Sequence, residues 1–213
     1  MAKGTVVIDP GHGGTGPKLG GSSSNNATSP SGVLEKNITL RMAFLVRDAI
    51  AEAANLGSHD VKVFLTRETD KNLGLGDRAK VAKTNNADLF LSIHCNASEQ
   101  HNARGVETLI SPQAGNANFA ADKAFAQRIQ TAVLGAIKAH DPNTRDRKVK
   151  EQSLGVLRDS SLGTTTRGCL VELEFIDVNA VDVLLNIGPN ATQVRSDIAK
   201  AIAGAIIAEL AGS

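Results

Sequence analysis

The sequence predicts an α/β fold: a single open sheet of six twisted strands with helices on both faces. Three observations carry that reading. Short β-branched runs such as residues 5–9 (TVVID) have the continuous apolar character of strands covered on two sides, which favours parallel pairing. They alternate with longer segments whose apolar residues recur at helical spacing, the order expected of an α/β sheet. With 213 residues, 41% hydrophobic and 21% charged, the chain can bury one substantial core, so one domain over residues 1–213 is expected and disorder is not.

In chain order, strands are expected at residues 5–9, 61–66 (VKVFLT), 88–94 (DLFLSIH), 106–110 (VETLI), 155–157 (GVL) and 169–175 (CLVELEF). Helices are expected at 37–54, where Leu40, Phe44, Leu45 and Val46 lie near the core face, at 76–86 and at 119–139. A short helix at 178–186 and a long one at 191–210 follow the last strand. In the long one Val194, Ile198, Ile202, Ile206 and Leu210 stand at four-residue steps, a stripe that packs on the sheet. Residues 11–32 are rich in Gly, Ser and Asn without periodic apolar positions, so they form a long surface loop, mobile or functional. Functional groups of such a sheet gather beyond the carboxyl ends of its strands.

Composition removes several function classes. The 23 Lys and Arg against 22 Asp and Glu leave a formal charge of +1, so no global field draws in nucleic acid or an anionic membrane. Trp and Tyr are absent, which takes away the usual stacking platforms of lectins and single-strand binders. Cys95 and Cys169 are too few and too distant for a disulfide scaffold and are expected to be free, buried thiols. No apolar run approaches the roughly 20 residues of a membrane span. The start MAKGTVVIDPGHGG passes from one Lys into a strand pattern with no signal-peptide motif.

Two strand ends and a helix head carry the chemistry. The run from Gly11 to Gly16 (GHGGTG) formally matches the dinucleotide fingerprint, but there the last Gly must open a helix, and here Pro17 and a Gly/Ser/Asn tract follow. A phosphate or nucleotide module built on this loop is therefore the lesser reading. His12 just past the first strand, Glu35 at the head of the first helix and His94 at the end of the third strand form a better set. Two imidazoles and one carboxylate are the protein ligands of a catalytic zinc site whose fourth position holds water. Each alone has a plainer reading: His12 as a turn residue, His94 as a satisfied core histidine, Glu35 as a partner of the helix dipole. Their shared rim favours the metal.

In LVELEF, Glu172 and Glu174 interrupt an apolar strand, and residues two apart should point at one region. Buried and unpaired they would cost on the order of several kcal/mol, so a metal, an Arg or an exposed rim must compensate. A carboxylate beside a metal-bound water is the general base that metal-assisted hydrolysis requires.

The blocks VVIDPGHGG (6–14), LEKN (34–37), LTR (65–67), DRAKVAKTNNADLFLSIHCNA (77–97), GVET (105–108) and LVELEFID (170–177) occur in that order. Together they make the chain resemble the zinc-dependent N-acetylmuramoyl-L-alanine amidases over nearly its whole length. The resemblance implies a mostly parallel six-stranded sheet flanked by helices, zinc held by His12, Glu35 and His94, and Glu172 as the catalytic carboxylate. The implied reaction is hydrolysis of the amide between the lactyl group of N-acetylmuramic acid and L-alanine of the stem peptide, with no organic cofactor. The implied partner is peptidoglycan, met at the cell wall or in the periplasm by a monomer exported as a mature domain or released by lysis. Asn96 reads first as a turn former and second, with Arg67, as a residue that orients ligands or substrate. Glu174 stands where the family more often has a small residue, and is expected to assist, compete as the base or narrow the cleft. Cys95 should point away from the face of His94, into the core. Arg145, Arg147, Lys148 and Lys150 read first as a solvated basic loop and second as contacts for stem-peptide carboxylates. A zinc exopeptidase or deacylase acting on soluble peptides would use the same ligand set.

Overall fold

A computed structural model describes residues 1–18, 20, 21, 23, 24 and 26–212. Its strands are β1 (Lys3–Pro10), β2 (Asp60–Leu65), β3 (Leu89–Asn96), β4 (Val106–Ile110), β5 (Asp146–Glu151) and β6 (Arg167–Phe175). They pair in the order β2-β1-β3-β6-β4-β5. β1 runs parallel to β2 and β3, and β3 parallel to β6. β4 and β5 are parallel to each other, but β4 is antiparallel to β6. The sheet is thus mostly parallel, as expected. The reversal brings the amino ends of β4 and β5 to the rim where β1, β3 and β6 end.

The helices are α1 (Glu35–Leu56), α2 (Leu75–Thr84), α3 (Phe119–Lys138), α4 (Asp159–Leu162), α5 (Asn179–Asp182) and α6 (Ala191–Ala211). Alternation along each strand divides the apolar residues between two cores. Val6, Ile8, Leu91, Ile93 and Val171 face the larger core, which Met42 and Val46 of α1, Phe125 and Ile129 of α3, and the expected stripe of α6 close over. Val7, Phe90, Leu109 and Leu170 face the smaller one, covered by Ala79 and Ala82 of α2 and Leu162 of α4. Cys95 and Cys169 are free and belong to the larger core. Among the described residues no helix is long and apolar enough to cross a membrane.

Two expectations are corrected. Residues 155–157 are not a strand: Gly155–Leu157 is a 3-10 turn whose Val156 and Leu157 fill the smaller core. The fifth strand is instead Asp146–Glu151 (DRKVKE), the segment read as a basic loop. As an edge strand it pairs on one side only, and its charged residues keep that edge in water, so it carries no apolar run to announce it. The short helix after β6 is α5 followed by a π turn over Val183–Ile187. In the expected loop at 11–32, residues 19, 22 and 25 lie outside the described residues. Bridges from Gly21 to Gly74 and from Thr28 to Leu34 tie other parts of it down.

Candidate metal centre

β1 stops at Pro10, and the chain turns through His12 at a φ of 59°, a left-handed conformation that costs a non-glycine residue free energy unless its surroundings enforce it. Two buried arginines enforce it. Arg78 donates through Nη1 to Asp9 Oδ1 and the Pro10 carbonyl, both at 2.8 Å, and through Nη2 to the His12 carbonyl at 2.6 Å. Arg67 donates through Nε to the Pro10 carbonyl (3.0 Å), through Nη2 to those of Gly11 (2.8 Å) and Lys36 (2.9 Å), and through Nη1 to that of Thr69 (3.1 Å). Arg67 therefore braces the His12 turn and the head of α1, and it is buried there rather than open to substrate.

Burial pushes Asp9 up, but Arg78 and the hydroxyls of Thr66 and Ser92 hold its carboxyl below the usual carboxylate range. Arg78→Met would leave the buried Asp9 carboxylate without its ion-pair partner and take the Nη2 donor from the His12 carbonyl, while Arg67 still serves Pro10 and the two hydroxyls still serve Asp9. It is expected to cost about 3 kcal/mol or more in denaturant unfolding, because breaking a buried pair strands the surviving charge. Unchanged stability would remove the pair from this account.

His12, Glu35 and His94 meet above the rim, with one ligand atom from each lying within 4.8 Å of the others. Glu35 Oε1 stands 3.2 Å from His12 Nε2 and 3.1 Å from His94 Nδ1. Two tetrahedral ligands each about 2.0–2.1 Å from zinc stand about 3.3 Å apart, so these edges fit the ion. Glu35 is fixed by the chain: Oε1 accepts from the Cys95 N–H (3.0 Å) and Oε2 from that of Ala27 (3.2 Å). The Nδ1 of His12 lies 3.0 Å from the Ser23 carbonyl, a partner that fixes the tautomer and leaves the Nε2 lone pair facing Glu35. Gly11 lets the His94 ring lie against the backbone, since a Cβ there would collide with the imidazole.

Burial pushes Glu35 up, but the two imidazoles outweigh it and bring the carboxyl down to about 2. Burial pushes His12 down, but Glu35 outweighs it and raises the imidazole above its ordinary value.

Glu172 is half-buried and stands beside His94 in the β3–β6 register. Its Oε2 is enclosed without a hydrogen-bond partner among the described residues. Burial first, then repulsion from Glu35 and Glu107, pushes this carboxyl well above the usual range. Glu174 goes elsewhere. The register shifts after His94 and Glu172, so strict alternation ends there and the expectation that both carboxylates share one region is overturned. Glu174 accepts from Arg104 Nε (3.1 Å), the Gly105 N–H (2.8 Å), Thr144 Oγ1 (2.9 Å) and the Phe175 N–H (2.9 Å). Those donors commit it to a structural pocket. Asn96 donates to Glu107 Oε1 at 2.8 Å and also receives the Ala97 N–H at 3.0 Å, so it is both turn former and neighbour of the cluster.

The Gly-rich loop does not offer a phosphate cradle. The N–H groups of Gly11, Gly13 and Gly14 donate to the Ile93 carbonyl, the Ser24 carbonyl and Asp70 Oδ1. Protein acceptors, one of them anionic, fill the positions an anion would need. Sequence reasoning missed Arg78 and Glu107, although both lie in the blocks DRA and GVET; a buried Arg beside a glycine turn and an acid in a fully buried strand were the available signals.

What the fold and this rim define is an α/β protein with a two-histidine, one-carboxylate cluster at the carboxyl edge of a mostly parallel sheet. The family model for N-acetylmuramoyl-L-alanine amidase matches residues 6–208, and the chain belongs to that family. It is 31% identical over 172 residues to the sporulation-specific N-acetylmuramoyl-L-alanine amidase of Bacillus subtilis (strain 168), covering 81% of this chain and 56% of that one. It is 32% identical over 178 residues to the N-acetylmuramoyl-L-alanine amidase LytC of the same organism, covering 84% and 30%. The chain thus spans about half or less of the length of these relatives. Its fold is similar to the catalytic domain of CwlV, an N-acetylmuramoyl-L-alanine amidase from Bacillus (Paenibacillus) polymyxa var. colistinus, at a TM-score of 0.76 and 26% identity over 99% of both chains.

Proposed function

We propose that residues 1–213 are one amidase catalytic domain that cleaves peptidoglycan between N-acetylmuramic acid and L-alanine, with zinc held by His12, Glu35 and His94 and Glu172 as the general base. The observation that carries this reading is the convergence of those three ligands beside a carboxylate whose Oε2 has no hydrogen-bond partner among the described residues. Zinc, when bound, supplies Lewis acidity for the amide carbonyl and an acidified water. The chain does the rest. Glu35 is locked by two backbone N–H groups, and His12 is oriented through its Nδ1, so the ligands are set in advance. The raised proton affinity of Glu172 makes it a stronger base than an exposed carboxylate; it takes the proton of the attacking water and returns it to the leaving amine nitrogen. Since Glu35 favours protonated His12, metal uptake displaces a proton and weakens on acidification.

The domain is proposed to act at the cell wall as a monomer, without inserting into a membrane and without a nucleic-acid partner; the near balance of its charges supports the last point. Purified sacculi provide the test. Turbidity should fall with the zinc-loaded protein, stop with a chelator, return with added zinc, and the fragments should carry new amino-terminal L-alanine. Free amino acids released from soluble peptides with intact sacculi would favour an exopeptidase, and full activity without metal would end the zinc assignment.

A further inference from the structure

Glu107 stands opposite Glu172 across the antiparallel β4–β6 pair. Its Oε2 accepts from both Arg147 Nε (2.8 Å) and Lys150 Nζ (2.5 Å). Side chains three apart on a regular strand point to opposite faces. Here the β4–β5 register shifts between Val106 and Thr108, and Lys148 takes a φ of 71°. That bulge turns Arg147 and Lys150 to one side with Glu107, and sends Lys148 to Asp146, beside α3. Arg147 also lies over the Phe175 ring, 4.9 Å from its centroid, which anchors the guanidinium at the end of β6.

Two cations against one carboxylate leave this wall with a net positive charge. Both remain accessible, with side chains 35% and 44% exposed. Arg147 spends only Nε on Glu107, so among the described residues its two Nη groups have no hydrogen-bond partner. Such a fork is shaped for a carboxylate. Opposed residues of an antiparallel pair lie about 4.5–5.5 Å apart at Cα, so the wall stands one side chain beyond the carboxylate assigned as base.

We propose that Arg147 and Lys150 form a carboxylate-binding wall that grips the free α-carboxylate of the residue following L-alanine in the stem peptide, with Glu107 as the positioning residue that aligns the two cations. This rests on the amidase reading above. The experiment compares two muramoyl tripeptides that differ only at the second residue, γ-linked D-glutamate or its α-carboxamide. The wild type should favour the carboxylate by about tenfold in kcat/KM, a typical effect of one charge-assisted contact. Arg147→Gln and Lys150→Gln each leave Glu107 one cation, and each should bring the ratio towards one, mainly through KM, at unchanged zinc content. Lys148→Gln removes the same charge on the other side and should keep the ratio. A ratio near one in the wild type, an unaltered ratio in both wall variants, or an equal loss with Lys148→Gln overturns the wall and leaves the amidase reading standing. Failure to cleave either substrate overturns both.

Discussion

Glu172→Gln is expected to lower wall hydrolysis by on the order of 10²–10⁴-fold, the usual contribution of a positioned general base, while one zinc per chain is retained. Stability should stay level or rise. Among the described residues the Oε2 of Glu172 has no partner to lose, and the amide removes a carboxyl that repels Glu35 and Glu107 when ionised. Glu174→Gln should behave in the opposite way. Its carboxylate receives four donors, so an NH2 group in its place meets a donor and costs about 1–3 kcal/mol of folding stability. Hydrolysis rates, metal content and denaturant unfolding of both variants separate the two roles. An active Glu172→Gln beside an inactive but stable Glu174→Gln would reverse the assignment of the base.

His94→Ala should lose both metal and activity. Removing a partner that merely orients a metal ligand already weakens binding by about 10–100-fold, so the loss of a ligand should exceed that. The thermal readout is independent of turnover. A ligand present at about 1,000 times its Kd stabilises a fold by about 4 kcal/mol, so wild-type protein should melt higher when zinc is added to the metal-free form, and His94→Ala should not. Stoichiometric zinc in folded His94→Ala would remove this histidine from the ligand set.

Much of this site is legible in the residues because its members sit where strands end. VVIDPGHGG, LEKN and LFLSIH each couple an apolar run, or the head of a helix, to one ligand, and in a parallel sheet those points converge. β5 was not legible. An edge strand made of DRKVKE draws its pairing from β4 and its solubility from its charges, so it has the composition of a loop. Glu174 was misread for a related reason: side-chain alternation is reliable only while register holds, and the shift after His94 and Glu172 ends it.

From its residues alone this protein had its class of fold, its two-faced core and the identity of the three cluster residues, because apolar periodicity and residue chemistry are local properties that the chain carries with it. Only the tertiary structure decided which carboxylate of β6 faces the cluster, that Arg67 and Arg78 brace the His12 turn, and that Arg147 and Lys150 share a side with Glu107. The first and last of those outcomes depend on the register between strands distant in the chain, and the brace depends on how α2 and the end of β2 dock beside β1. Register is set by the packing of all six strands at once, and no single segment encodes it.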